Sequence, residues 1–228
     1  MEFISYYSGS SGNLHHIKGD TMELLIDPGV TVRRIKEALN FKLNDISAAL
    51  CSHSHGDHSK GVQSIAKAGV DCYMTDTTAK AIKSNGHRTK IIEPMKQFDI
   101  GDFQVLPFDL QHDVENTGFL ISDGTDKLVY ATDSFYVKYK FKGLTHIVVE
   151  CNYSKSTLSD GLDPARKKRL YKSHFSLENV IKFLKANDLS KVREIHLVHI
   201  SKDNGHPDYF KDEVQKITGK PTYTSRGI

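Results

Sequence analysis

Cysteine is scarce in this chain. It has three, Cys51, Cys72 and Cys151, an odd number with no Cys-x-x-Cys spacing. That argues against a disulfide framework and for small buried apolar residues in a reducing compartment. Long apolar runs are missing too. No stretch approaches the roughly 20 residues needed to span a bilayer. The opening Met-Glu-Phe-Ile-Ser-Tyr-Tyr has no basic segment followed by an apolar one. A cytoplasmic protein with no membrane partner is expected. Pro/Ser-rich stretches, low-complexity tracts, internal repeats and long single-sign charge blocks are absent as well. The 228 residues are therefore expected to form a single domain, 1–228, large enough to bury a full core. The net charge of +3 is too mild to demand a nucleic-acid partner on its own.

What is present has an α/β pattern. Short apolar segments at 3–7, 14–17 and 22–26 read as strands joined by Gly-containing turns, and 32–39 as an amphipathic helix with Val32, Ile35 and Leu39 at helical spacing. A strand at 46–51 is followed by a helix from Gly61, a strand at 70–74 and a helix at 77–83. Residues 90–132 turn to short alternating segments, at 91–92, 98–100, 103–108, 117–121 and 127–132, with Asp123-Gly124 as a hairpin signal. The last third alternates again: a strand at 147–150, helices at 164–171 and 177–186, a strand at 194–199, a helix at 208–217 and an edge strand at 222–223. Ser176 is a natural N-cap for the helix after it. This order predicts two sheets in a sandwich with helices outside.

Residues 52–58 read Ser-His-Ser-His-Gly-Asp-His. His53, His55, Asp57 and His58 are nitrogen and oxygen donors suited to a divalent first-row metal. They follow a buried strand and precede a helix, where open α/β folds place their sites. A dinuclear hydrolytic centre needs further ligands. His112, Asp133 and His199 each stand at or just past the carboxyl end of an expected strand, on the same rim. Alone, an isolated His after a strand is more often a hydrogen-bonded structural residue and an Asp there more often a helix cap; the repetition of position favours ligands.

The 52–58 run resembles the His-x-His-x-Asp-His signature of the metallo-β-lactamase superfamily, and His112, Asp133 and His199 follow in the order of its other ligand motifs. The resemblance implies an αββα sandwich of two mixed sheets. It also implies one metal on His53, His55 and His112, a second on Asp57, His58 and His199, and Asp133 bridging. Within the superfamily the chain most resembles the YycJ/WalJ-type bacterial exonucleases. The matching pieces are Ser10-Ser11-Gly12-Asn13, Asp57-His58-Ser59-Lys60-Gly61, Val149-Glu150-Cys151-Asn152, Lys172-Ser173-His174-Phe175-Ser176 and the run 199–204. Tyr153 and Ser173 depart from it, standing where those enzymes usually have His and Gly. Too few positions separate Asp133 from His199 for a β-CASP insertion, and no tRNase Z-like arm is visible.

The resemblance implies a nuclease, a 5′-to-3′ DNA exonuclease using a hydroxide bridging two divalent ions. The ions would be zinc or manganese, with iron also admitted. DNA stands ahead of RNA as partner, and the oligomeric state is left open. The alternatives are an RNA-processing nuclease, a small-molecule phosphodiesterase, a thioester or lactone hydrolase, and a non-catalytic metal-bound module. Asp57 would orient the nucleophile, and His174 would contact the scissile phosphate or protonate the leaving oxygen; otherwise His174 is a packing residue beside Ser176. Ser11, Asn13, Lys172 and Ser201 are candidate substrate contacts, although a plain hairpin turn explains 8–13 nearly as well. Lys138, Lys140 and Lys142, and Arg166, Lys167, Lys168, Arg169 and Lys172, form either solvated faces or a phosphate-tracking surface. Tyr6, Tyr7, Phe135 and Tyr136 either stack on bases or pack in the core. His15 and His16 would point to opposite faces of a strand, and His87, His146, His196 and His206 are expected to be structural or on the surface.

Overall fold

Each half of the chain begins as an antiparallel meander and ends in parallel strands, most of them joined by helices. The structure, a computed structural model, describes residues 1–158 and 162–225, without the side chain of Arg166. The first, six-stranded sheet runs β1 (Glu2–Tyr7), β2 (Leu14–Lys18), β3 (Glu23–Ile26), β4 (Ile46–Leu50), β5 (Asp71–Met74) and β6 (Thr89–Ile91), in that spatial order. Its pairs are antiparallel as far as β3 and parallel beyond it. Helices α1 (Val32–Ala38), α2 (Gly56–Ser59), α3 (Val62–Lys67) and α4 (Asp76–Ala81) belong to this half.

The second, seven-stranded sheet contains β7 (Phe98–Ile100), β8 (Phe103–Leu110), β9 (Asn116–Ser122), β10 (Lys127–Ala131), β11 (His146–Glu150), β12 (Glu194–Val198) and β13 (Thr222–Thr224), also in sequential order. Strands β7 to β10 pair antiparallel and β10 to β13 parallel. Helices α5 (Pro164–Ser173), α6 (Leu177–Ala186) and α7 (Pro207–Thr218) complete it.

Strand alternation produces the layers. Leu128 and Tyr130 of β10 face Leu24 and Ile26 of β3, Phe119 of β9 and Val148 of β11 in a cluster shared by the two sheets. The alternate residues Val129, Ala131, Ile147 and Val149 face Val180, Leu184, Phe210 and Val214 of α6 and α7. Across the first sheet, Leu25, Ala49 and Cys72 meet Ile35, Val62 and Ile65 of α1 and α3. The result is the α/β/β/α sandwich expected. Each fully buried Leu, Ile, Val or Phe contributes about 1.5–3 kcal/mol to holding it.

Local signals act as anticipated. Ser176 caps α6, its Oγ accepting from Asn179 N at 3.3 Å. Asp123 Oδ1 accepts from the N–H groups of Thr125 and Asp126 and so closes the β9–β10 hairpin. His15 lies between the sheets against Phe3 and Tyr130, while His16 points the other way, toward Tyr6. His146 and His196 are buried structural residues, and His87 and His206 are exposed. The three cysteines are buried and unpaired. No helix among the described residues is long and apolar enough to cross a membrane.

Two elements differ from expectation. The histidine motif is itself partly helical: α2 begins at Gly56, inside it, because the His55 carbonyl already accepts from the N–H of His58 and Ser59. The strand expected at 91–92 lies at Thr89–Ile91, where it pairs with β5.

Candidate metal centre

The carboxyl ends of β3, β4, β8, β10, β11 and β12 meet at one edge of the sandwich. There they present Asp27, the 52–58 motif, His112, Asp133, Glu150 and His199. Three of these residues, Asp27, Asp133 and His199, have left-handed backbone conformations, with φ of 49°, 52° and 51°. Such conformations are uncommon outside glycine and gather at functional sites.

His53, His55, His112 and Asp133 form one donor set. His53 Nε2 stands 3.2 Å from His55 Nδ1 and 3.4 Å from Asp133 Oδ2. His112 Nε2 is 3.3 Å from His55 Nδ1 and 3.7 Å from Asp133 Oδ2. Asp57, His58, Asp133 and His199 form a second set. His58 Nε2 lies 3.2 Å from Asp133 Oδ2 and 3.5 Å from Asp57 Oδ2, and His199 Nε2 lies 3.4 Å from Asp57 Oδ2. Donors held 2.0–2.1 Å from a tetrahedral ion stand about 3.3–3.4 Å from one another. Both sets match that spacing, and Asp133 Oδ2 is common to them.

The second nitrogen of each histidine fits the same purpose. His58 Nδ1 donates to Asp27 Oδ2 at 2.8 Å, and His112 Nδ1 to the Ser173 carbonyl at 3.2 Å. His53 Nδ1 donates to Ser52 Oγ at 2.9 Å, which in turn donates to Asp27 Oδ2 at 2.9 Å. His199 Nδ1 is 2.9 Å from Asp133 Oδ1 and 3.1 Å from Glu150 Oε1. His55 is turned over, with Nε2 toward Asp113 Oδ1 at 3.4 Å and Nδ1 inward. With one nitrogen of each ring turned toward an acceptor, the other is aimed into the cluster, where a cation would take the place of any proton it carries. This is how metal-ligating histidines are oriented.

The electrostatics agree. Burial pushes His53 down to about 4, assisted by the charge of His58, so it is neutral at pH 7. Burial also opposes charge on His58, but Asp133 and Asp27 outweigh it and lift its pKa to about 10. Burial would raise the pKa of Asp27, yet His58, His53 and Tyr130 hold it at about 2. For Asp133, His199 and His58 overcome burial and hold it well below the ordinary carboxylate range. A field negative enough to keep protons on buried histidines attracts divalent cations for the same reason.

Asp27 and Glu150 were not anticipated. Asp27 is fully buried and accepts from Ser52 N at 2.7 Å and Tyr130 Oη at 2.6 Å besides His58 and Ser52 Oγ. Glu150, equally buried, receives His174 Nδ1 at 2.6 Å and His199 Nδ1 on Oε1, and the backbone N–H of Ser134 and Phe175 on Oε2. Both stand at the carboxyl ends of largely buried strands, as Asp133 and His199 do, so the strand-end position was the available signal.

The candidate substrate contacts divide. Ser201 borders a cavity of about 250 Å³ together with Ser10, Arg169, His174, His199 and Asn204. Ser11 and Lys172 are exposed and do not border it. Asn13 is buried, and its side chain is committed internally. Its Oδ1 accepts from Gly9 N at 2.9 Å and its Nδ2 donates to the Asp57 carbonyl at 3.0 Å. These bonds hold the turn against the motif.

Comparison with known proteins agrees with this geometry. The chain is 30% identical over 216 residues to exodeoxyribonuclease WalJ of Streptococcus pneumoniae, covering 86% of this chain and 80% of that one. It is 27% identical over 238 residues to exodeoxyribonuclease YycJ of Bacillus anthracis, covering 95% and 89%. The crystal structure of the metallo-β-lactamase fold protein YhfI from Bacillus subtilis superposes with a TM-score of 0.76 at 16% identity, covering 99% of this chain and 97% of that one. The family model of the beta-lactamase superfamily domain matches residues 23–200. With two sheets of this order and these paired donor sets, the chain belongs to the beta-lactamase superfamily and has the metallo-β-lactamase fold.

Proposed function

We propose that the chain is a metal-dependent DNA exonuclease that works from the 5′ end on two divalent ions. The observation that carries this reading is Glu150, one buried carboxylate bonded both to His199, which this reading makes a ligand, and to His174, which it keeps as an acid. In this reading His53, His55 and His112 hold one ion, Asp57, His58 and His199 the other, and Asp133 bridges them. The all-nitrogen-and-oxygen donor set suits zinc or manganese, and also iron. When bound, two such ions supply Lewis acidity toward phosphoryl oxygens and a water that ionises near neutral pH.

The chain's own residues do the rest. His174 lies beside the donor sets, with its side chain 17% exposed. Burial lowers its pKa, but Glu150 and Asp133 outweigh that and raise it above the ordinary histidine value, which favours its acid form. Glu150 fixes Nδ1, which turns the remaining N–H toward the departing sugar oxygen as a general acid. Asp57, one oxygen of which ligates, orients the attacking water. Ser10, Arg169 and Ser201 around the adjoining cavity provide hydroxyls and a guanidinium for a phosphate of the strand.

The relatives named exodeoxyribonuclease support DNA as the substrate class. The test is to incubate the manganese- and zinc-loaded protein with 5′- and 3′-labelled single- and double-stranded DNA and RNA. Early release of labelled mononucleotide from 5′-labelled DNA is expected. Absence of any cleavage, alongside turnover of a thioester or lactone, would overturn the reading.

A further inference from the structure

Three residues past the bridging Asp133 and one past His174 lies a second cavity of about 220 Å³. Its lining is divided by chemistry. Val137, Phe175 and Phe183 are buried and make an apolar floor. Tyr136, 54% exposed, and the half-buried Tyr139 add flat aromatic surface. Lys138, Lys140 and Lys182 are exposed at its border. Lys138 is drawn toward Asp109 at 3.6 Å and lies over the Tyr139 ring. Lys140 and Lys182 pair with no carboxylate among the described residues.

We infer that this cavity is a strand-holding subsite that takes one unpaired base of a single-stranded nucleic acid, with the flanking phosphates on the lysines. The inference rests on the nuclease reading above. Its volume lies below the roughly 300–1,000 Å³ of pockets that enclose a whole drug-sized ligand, which suits one planar ring system. Aromatic surface interleaved with unpaired cations is the chemistry that binds single strands, bases on the rings and phosphates on the cations. A purely apolar ligand would make no use of the lysines. A phosphate alone would make no use of the rings.

Position connects the cavity to the metal centre. Three residues of extended chain span at most about 10 Å, so Tyr136 lies within a few nucleotides of Asp133. The connecting turn is braced: Ser134 Oγ donates to the Tyr136 carbonyl at 2.8 Å and accepts from Gln111 N at 3.1 Å. Asn179 Nδ2 holds the Phe135 carbonyl at 3.1 Å, tying the turn to α6. A strand leaving the centre past His174 and Phe175 would meet this surface next.

The test uses the metal-loaded full chain and a fluorescent phosphorothioate single strand of about 20 nucleotides, which resists cleavage, with binding read by anisotropy. Tyr136→Ala should weaken binding about tenfold, in the range of losing one base–aromatic stack, and Tyr136→Phe should restore it. The double variant Lys140→Ala/Lys182→Ala should flatten the salt dependence by about 1.4 in the log–log slope, roughly 0.7 for each phosphate that a lysine no longer neutralises. A blunt duplex of the same length should not respond to Tyr136→Ala. Affinity within twofold of wild type in both alanine variants, or equal losses on single strand and duplex, would overturn the subsite. If the protein cleaves DNA while the variants bind normally, the subsite alone fails. If the wild-type protein neither binds nor cleaves any nucleic acid, the nuclease reading fails and takes the subsite with it.

Discussion

Glu150 Oε1 lies 2.6 Å from His174 Nδ1 and, on the same oxygen, 3.1 Å from His199 Nδ1. One buried carboxylate thus couples the second donor set to the proposed acid. Replacing His174 with Ala should lower turnover about 10²–10⁴-fold, the range of a general acid. Both metals should remain bound. Metal analysis of the purified variant beside single-turnover kinetics checks this, and metal loss would make His174 a ligand.

The pH profile should carry the same signature. Glu150 and Asp133 raise the His174 pKa against burial, so its acid form persists to higher pH than that of an ordinary histidine. Turnover should therefore fall on the alkaline side as that proton is lost. Glu150→Gln removes the charge that raises it and should move the alkaline limb to lower pH. An alkaline limb unmoved in Glu150→Gln would contradict the coupling.

Asp27 supports the other side of the centre. Asp27→Asn weakens its bond to His58 and disturbs acceptance from Ser52 and Tyr130. Loss of such an orienting carboxylate typically costs about 10–100-fold in metal affinity. Competition with a chromogenic chelator should show the larger weakening in the ion proposed for Asp57, His58 and His199, because His58 bonds Asp27 directly and His53 only through Ser52 Oγ.

Gly29 has no room for a side chain. A Cβ there would stand 1.7 Å from the Asp57 carbonyl oxygen, and Gly29 N also donates to the Asn13 carbonyl at 2.8 Å. Gly29→Ala must displace the backbone that carries Asp57 and His58. A loss of about 1–3 kcal/mol of stability is expected, as for other overpacked interiors. Urea denaturation measures it, together with reduced metal content.

His15 gives the stability curve an acid edge. Burial between the sheets holds its pKa at about 3, against 6.5 when exposed. The unfolded chain therefore binds the extra proton between those values. Stability from this group is complete above about pH 6.5 and falls toward pH 3 by about 1.4 kcal/mol per unit. His15→Phe, stacked in the same place between Phe3 and Tyr130, should make urea midpoints less sensitive to pH between 6 and 4. An unchanged slope would contradict it.

How much of this was legible in the sequence follows from how local each signal is. His53, His55, Asp57 and His58 fall within six consecutive positions, so one turn at a strand end displays them together. His112, Asp133 and His199 could be found because each ends a strand on the same rim. Asp27 and Glu150 occupy equivalent positions, but an acid after a strand also reads as a turn or cap, and their partners come from distant segments. The internal role of Asn13 was hidden for the opposite reason. A polar residue in a Gly-rich turn reads as exposed, and only the packing of that turn on the Asp57 carbonyl reveals its use. The lysines at 138 and 140 were visible as a run, whereas the apolar floor beneath them comes from Phe175 and Phe183 of the following helical region.

The central claim is a two-ion centre that cleaves DNA, and a metal titration of the metal-stripped protein with 5′-labelled DNA tests it most directly. Cleavage should rise with added manganese or zinc and level off at two ions per chain, with mononucleotide as the first product. No cleavage at any loading, or full activity at one ion, would contradict the account.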